Sequence, residues 1–237
     1  DTLPKIATEK AGIHRPGVPL LCLDHEDEEV RAAIEGVAGE DVVWVPRAGE
    51  DAQEVARRMA SVIGTRIGWK DMETDVVWPG RSMDRTNWSG AELVLSAAHN
   101  SESLSHDLGR LGSERHVLVV GMTQKEDLSE SIEPLLRTEG RIRTIVTEVH
   151  GGRTPSVHAE RLSESLSADS GEPPLIIKEP IEAIDTASRE ASKEGCIVFV
   201  TGSVYLVGQA VEEMVSRENG NLWEYLEAHR PREQTEV

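Results

Sequence analysis

Aromatic side chains are nearly absent from this chain: five Trp, two Tyr and one Phe among 237 residues. Any core must therefore be built from aliphatic residues. Positive charge is also scarce, with 25 Lys and Arg set against 43 Asp and Glu for a formal charge of −18. The mean field of such a chain repels polyanions, which excludes broad binding to nucleic acid or to an anionic membrane. A local cationic pocket for an acidic substrate is still compatible with it. No apolar run is long enough to span a bilayer, and no signal peptide or internal repeat is visible. A cytoplasmic location with neither membrane nor nucleic-acid partner is the expectation. Only two cysteines occur, Cys22 in "LLCL" and Cys196 in "GCIVFV". Both read as small apolar residues inside strands rather than as a disulfide or metal pair. The phosphate-binding pattern G-x-x-x-x-G-K-[ST] is missing as well. Asp1 rather than Met opens the chain, so the natural start is expected upstream.

What is present is an alternation of short apolar runs with amphipathic stretches. "VPLLCL", "DVVWVP", "AELVLSAAHN", "RHVLVVGM", "RIRTIVTEV", "PPLIIKEP" and "CIVFVTGS" read as strands. Between them, "HEDEEVRAAIEGV", "DAQEVARRMASVIG", "SESLSHDLGRL", "EDLSESIEPLLRT", "HAERLSESL", "IEAIDTASREASKE" and "YLVGQAVEEMVSR" read as helices. Runs of Val, Ile and Leu unbroken by polar alternation suit a sheet covered on both faces, and strand–helix alternation predicts a mainly parallel α/β sheet with right-handed crossovers. A boundary is expected near "TDVVWPGR", where a long helix ends and a new α/β unit begins. "ESLSADSGEPP" reads as a surface loop and the tail "HRPREQTEV" as frayed.

Ligands of such sheets sit at the carboxyl ends of the strands. Three loops fall there: "SAAHNS" (96–101), "GMTQKED" (121–127) and "TGSVYLVG" (201–208). None is diagnostic alone. The opening stretch "IATEKAGIHRPG" (6–17) raises a separate question, because in a chain that favours arginine it sets Lys10 near the end of a helix. A helix dipole alone would favour a lysine there.

Taken in order, "TLPKIATEKAGIHRPGVPL", "WPGR", "VLSAAHN", "VVGMTQKEDL" and "VTGSVYLVGQA" resemble the folylpolyglutamate synthase and dihydrofolate synthase family of the Mur ligase superfamily. The resemblance runs over nearly the whole chain but covers only the second half of such an enzyme. It implies that residues 1–75 end a central ATP-binding domain whose phosphate loop lies upstream. Residues 76–237 would then be a complete Rossmann-like C-terminal glutamate-ligase domain. The reaction implied is ATP-dependent amide formation: a folate or dihydropteroate carboxylate becomes an acyl phosphate, which the amine of L-glutamate attacks. ATP and Mg²⁺ are the implied cofactors, and the missing N-terminal half, or a partner chain supplying it, the implied partner.

By the same resemblance Lys10 would be carbamylated and ligate Mg²⁺, since a carbamate is anionic where an ammonium would repel the ion. Arg81 would contact the nucleotide phosphates. His99 and Asn100 would face ATP and the glutamate site, with His99 taking part in the chemistry. Ser203 would lie near the incoming amino acid. Several positions depart from the family pattern. Ser96 stands where the family's aspartate contacts the nucleotide, Ser101 replaces a proline, "KED" (125–127) keeps only Asp127 of a D-K-D, and Gln53 stands for an asparagine. A Mur-type ligase of another acid, or a non-catalytic half of a split ligase, are the readings left beside it.

Overall fold

The computed structural model describes residues 2–47, 52–69, 78–81, 83–125, 127–167, 173–218, 220–222 and 224. The chain forms two compact units, Asp1–Val76 and Val77–Val237.

In the first unit, helix α1 (Leu3–Ala11) has Pro4 in its first turn and Lys10 in its last. A proline loses nothing there, because its missing N–H would have had no helical partner. Strand β1 (Leu20–Leu23), helix α2 (Glu28–Ala38) and strand β2 (Val42–Val45) follow, and β1 and β2 pair in parallel. Asp27 caps α2 by accepting from the Glu29 amide at 2.8 Å, with Glu28 and Glu29 in the first turn. Such acids match the positive end of the helix. The link from α1 to β1 is strapped down by Asp41, whose Oδ2 accepts from the Gly17 amide and from His14 Nε2, both at 2.9 Å. These two donors, Gly17 first, hold the Asp41 carboxyl below its usual range. Helix α3 (Ala52–Arg66) completes the unit. A parallel pair of strands is a small sheet, and Leu3, Ile6 and Ile13 are left exposed on and just beyond α1.

The second unit holds a six-stranded sheet in the order β3-β4-β8-β5-β6-β7. Its strands are β3 (Asp84–Trp88), β4 (Ala91–Leu95), β5 (His116–Val120), β6 (Arg141–Val146), β7 (Leu175–Ile176) and β8 (Ile197–Thr201). All neighbours are parallel except β3–β4. The α/β fold expected from the alternation is therefore present, with a mostly parallel sheet. Helices α4 (Ser101–Leu111), α5 (Leu128–Leu136) and α6 (Ala159–Ser167) cover one face, packing Leu104, Ile132 and Leu162 with Val94, Leu118, Val120 and Phe199. Helices α7 (Pro180–Glu194) and α8 (Val204–Arg217) cover the other, packing Ile184, Ala187, Leu206 and Ala210 on Leu93, Leu95, Val119 and Val200. Strand β5 is buried at all five positions, as a doubly covered sheet requires. Among the described residues no helix is long and apolar enough to cross a membrane.

Strand β3 has no counterpart among the expected strands. Its "DRTNW" is polar, and its face toward solvent is taken by Arg85 and Asn87. It forms a two-residue hairpin with β4 through Ser89 and Gly90, both at positive φ (52° and 88°), with Trp88 opposite Ala91. Such tight turns match the twist of the flanking strands. Trp88 fastens the hairpin to the helical layer: its indole N–H donates to Asp185 at 2.6 Å, and the Arg217 guanidinium lies 4.4 Å over its ring. The cysteines are free and half-buried, and burial raises both thiols. The boundary residues 70–77, the loop 168–172 and the tail from 225 onward lie outside the described residues.

His116, at the start of β5, is fully buried. Its Nδ1 donates to the Glu114 carbonyl at 2.7 Å, and its Nε2 has no hydrogen-bond partner. Burial pushes this imidazole below its ordinary value; the Glu114 carbonyl opposes the shift and Arg141 adds to it. As the pH falls below about 6.5, the unfolded chain binds a proton that the folded chain refuses, so stability is lost on the acid side. We expect His116→Phe to reduce the difference in urea midpoint between pH 7 and pH 5. An unchanged difference would assign the acid sensitivity to other groups.

Candidate functional site

The loops at the carboxyl ends of β4 and β8 are drawn together by backbone hydrogen bonds. Ser96 N–H donates to Val200 O at 2.9 Å, and Gly202 N–H donates to Ala98 O at 3.0 Å. Ala97 N–H donates to Gly80 O at 2.7 Å, which pins the turn Trp78–Arg81 to the same strand end. Gly80 is needed there. Its φ is +77°, and a Cβ would come within 2.9 Å of Val207 Cγ1 and 3.1 Å of the Ala97 nitrogen. Arg81 follows on the exposed side, making no ion pair among the described residues.

His99 and Asn100 lead into α4. Asn100 is the helix cap: its Oδ1 accepts from the Ser103 amide at 2.9 Å and from the Ser103 hydroxyl at 2.6 Å. His99 Nδ1 lies 3.0 Å from the Ala97 carbonyl. A carbonyl can only accept, so Nδ1 carries the proton and Nε2 is the ring atom turned away from that bond. Ser103 Oγ accepts from the His99 amide at 3.2 Å. The imidazole is thereby fixed in tautomer and its backbone in place.

Ser96 is fully buried, with Oγ 2.6 Å from Asp107 Oδ2, 3.1 Å from Thr201 Oγ1 and 3.2 Å from the Ala98 nitrogen. Ser203 is 2% exposed and caps α8, accepting from the Tyr205 amide at 3.2 Å. Asp127 caps α5 by accepting from the Glu130 amide at 3.0 Å. Four of the residues singled out from the sequence, Ser96, His99, Asn100 and Ser203, thus sit on two adjoining strand ends, with Arg81 on the turn bonded to them. Beside them a groove of 880 Å³ is lined by Trp78, Arg81, His150, Tyr205, Gln209 and Glu212 among others.

Lys10 belongs to the first unit. Its side chain is 75% exposed and Nζ lies 3.1 Å from Glu9 Oε1. The backbone of Gln53 lies in the first turn of α3. Among the described residues no group of three or more His, Cys, Asp or Glu could hold a metal. Lys10 and Glu9 by themselves do not make the oxygen cage that Mg²⁺ requires. The residues that sequence reasoning passed over are Gly80, Asp107 and Thr201. Gly80 was readable as a P-G turn, whereas Asp107 looks like any acid on an exposed helix.

Fold and strand order define a Rossmann-like α/β domain with a mostly parallel six-stranded sheet. The sequence profile of the dihydrofolate synthetase C-terminal domain matches residues 81–213, more than half of the chain. The chain belongs to that family. No curated protein sequence matches it. Among solved structures it is similar to Mycobacterium tuberculosis folylpolyglutamate synthase complexed with ADP and AMPPCP, at 17% identity and a TM-score of 0.69, covering 89% of this chain and 59% of that one. Escherichia coli FolC in complex with ADP is similar at 18% identity and a TM-score of 0.66, covering 92% of this chain and 58% of that one. The Yersinia pestis bifunctional folylpolyglutamate synthase/dihydrofolate synthase complexed with AMPPNP and Mn ion gives 16% identity and a TM-score of 0.63, covering 89% of this chain and 56% of that one. At such identities the likeness establishes the fold. The chain spans less than three fifths of the length of these enzymes.

The turn between β8 and α8 admits a sharp test. Gly202 has φ +101°, and a Cβ there would stand 2.7 Å from the Gly121 carbonyl oxygen. Gly202→Ala should cost at least about 2 kcal/mol in urea unfolding, since both the conformation and the overlap are unfavourable. Gly208, inside α8 with open space around it, should gain roughly 0.5–1 kcal/mol on substitution by alanine. Equal stability of Gly202→Ala and the native chain would show that the turn adapts.

Proposed function

We propose that the chain is part of an ATP-dependent ligase that adds L-glutamate to a folate-type carboxylate through an acyl phosphate. Residues 1–75 act as the end of its central ATP-binding domain and 76–237 as its C-terminal glutamate-ligase domain. The observation that carries this reading is the joining of the Arg81 turn, the His99–Asn100 loop and the Ser203 turn by hydrogen bonds at one edge of the sheet. It is supported by the family match and by the nucleotide complexes of the similar enzymes.

In this role the Arg81 guanidinium binds phosphate oxygens, for which its paired N–H groups are suited. His99, with Nδ1–H held by Ala97, presents Nε2 to accept a hydrogen bond or proton from the nucleotide or the attacking amine. Asn100 and Ser203, each fixed as a helix cap, orient the bound nucleotide and amino acid. Bound Mg²⁺ would neutralise phosphate charge. Lys10, as a carbamate, would contribute to holding it together with ligands that the family carries upstream of this stretch.

The test is glutamate-dependent ADP release. It is expected from the chain completed by the half that carries the phosphate loop, whether joined to it or supplied as a partner chain, with folate or dihydropteroate as acceptor. Turnover only with an unrelated carboxylic acid would move the chain to another Mur-type activity. The 237-residue chain alone should release no ADP, because it has no phosphate loop to orient the β- and γ-phosphates. Activity of that chain would overturn this part.

Lys10 gives a second expectation. In the longer ligase Lys10→Ala and Lys10→Arg should both lower turnover by about a hundredfold, the scale of losing one charge-stabilising group. A guanidinium stays cationic and cannot take up CO₂. Fold should be intact in both variants, because the side chain is 75% exposed. Near-normal turnover of the arginine variant would remove Lys10 from the site.

A further inference from the structure

We infer that Asp107 is a positioning residue that locks the two strand-end loops of the site in one arrangement; this rests on the ligase reading of those loops. Ser96 Oγ is fully buried and meets three polar atoms: Asp107 Oδ2 at 2.6 Å, Thr201 Oγ1 at 3.1 Å and the Ala98 nitrogen at 3.2 Å. A hydroxyl has one proton and two lone pairs. The Ala98 N–H can only donate, so it occupies one lone pair. An ionised carboxylate can only accept, so it fixes the Ser96 proton. The second lone pair is then left for the Thr201 hydroxyl, which must donate. Asp107 therefore sets the direction of the Ser96–Thr201 hydrogen bond, the one member of the knot that could run either way.

What the knot holds is the residue on which the site turns. Ala98 donates its N–H to Ser96 Oγ and accepts from Gly202 N–H through its carbonyl, while the preceding Ala97 donates to Gly80 O. His99 and Asn100 follow Ala98, Ser203 follows Gly202, and Arg81 follows Gly80. Without Asp107 the Ser96 proton can turn to Thr201 Oγ1, and the acceptor facing the Ala98 amide is no longer fixed. Asp107 is well placed to hold its position. Its side chain is only 13% exposed, and its Oδ1 lies 3.1 Å from His106 Nδ1. It sits two turns into α4, a helix fixed at its start by the Asn100–Ser103 capping box. A helix-surface acid with no such role would be solvated and free to change rotamer.

Amide hydrogen exchange on the 237-residue chain, read by NMR, tests this. Asp107→Ala should speed exchange at Ala98 and Gly202 about tenfold, the effect of losing one charge-assisted hydrogen bond. Leu118, in the middle of β5, should keep its rate. Asp107→Asn keeps an acceptor and should stay within about threefold of the native chain. Should the alanine variant fail to fold, Asp107→Leu, which likewise has no acceptor, takes its place and should speed the Ala98 amide by a similar factor, again with Leu118 unchanged. Unchanged exchange at Ala98, or equal acceleration at Leu118, or an asparagine variant as fast as the alanine one, would each overturn the inference. The ligase reading fails separately. Local acceleration in a protein that shows no ATP-dependent ligation when completed by the phosphate-loop half would retain the positioning role and remove the function. Unchanged exchange in an active ligase would remove only the positioning role.

Discussion

The position of β8 is the constraint on which the second unit depends. It is the last of the described strands, yet it lies between β4 and β5 and hydrogen-bonds to both. Every one of its residues is buried. Until β8 is inserted, β4 and β5 are not joined and neither helical layer has a continuous sheet to cover. The same insertion brings Thr201 beside Ser96, 105 residues away in sequence, so site and core close in one event. Long-range pairing of this kind completes late, because the loop entropy must be overcome before the contacts exist.

Helix caps supply the second layer of order. Asn100, Asp127 and Ser203 are the caps of α4, α5 and α8. They stand on the loops that follow β4, β5 and β8. At each of these strand ends the chain must reverse into a helix and satisfy its first amides. A polar residue at such a place has a structural reason to be there whether or not it meets a ligand. Capping does not exclude contact. The Asn100 amide group and the Ser203 hydroxyl proton are donors that the cap does not use, and the cap holds them in one orientation.

Much of the fold was legible because it rests on local rules. The runs "HVLVV" and "IVFVT" are uninterrupted aliphatic segments, and only a strand buried on both faces asks for that. α4 begins at Ser101 and ends at Leu111, where asparagine and glycine punctuate the sequence. Strand β3 was not legible, because an edge strand needs little apolar content and its buried Trp88 is held by Asp185 and Arg217, both far along the sequence. The clue was the Ser89-Gly90 pair, which fits a tight hairpin. Of the site, the loops could be found by their place after strands. Which of their residues are buried could not, since that depends on the neighbours β8 brings.

Ser96 illustrates the limit of comparing loops one position at a time. Read along the chain, a serine there offers no carboxylate at the strand end. In the fold, the carboxylate of Asp107 lies 2.6 Å from that serine's hydroxyl, carried by the helix that the same loop begins. The Asp107 carboxylate faces a proton donor within the protein and is mostly covered. Its first effect is to order the loop from beneath. A residue read one position at a time shows only its own groups, whereas here the acceptor that the loop uses is supplied by α4.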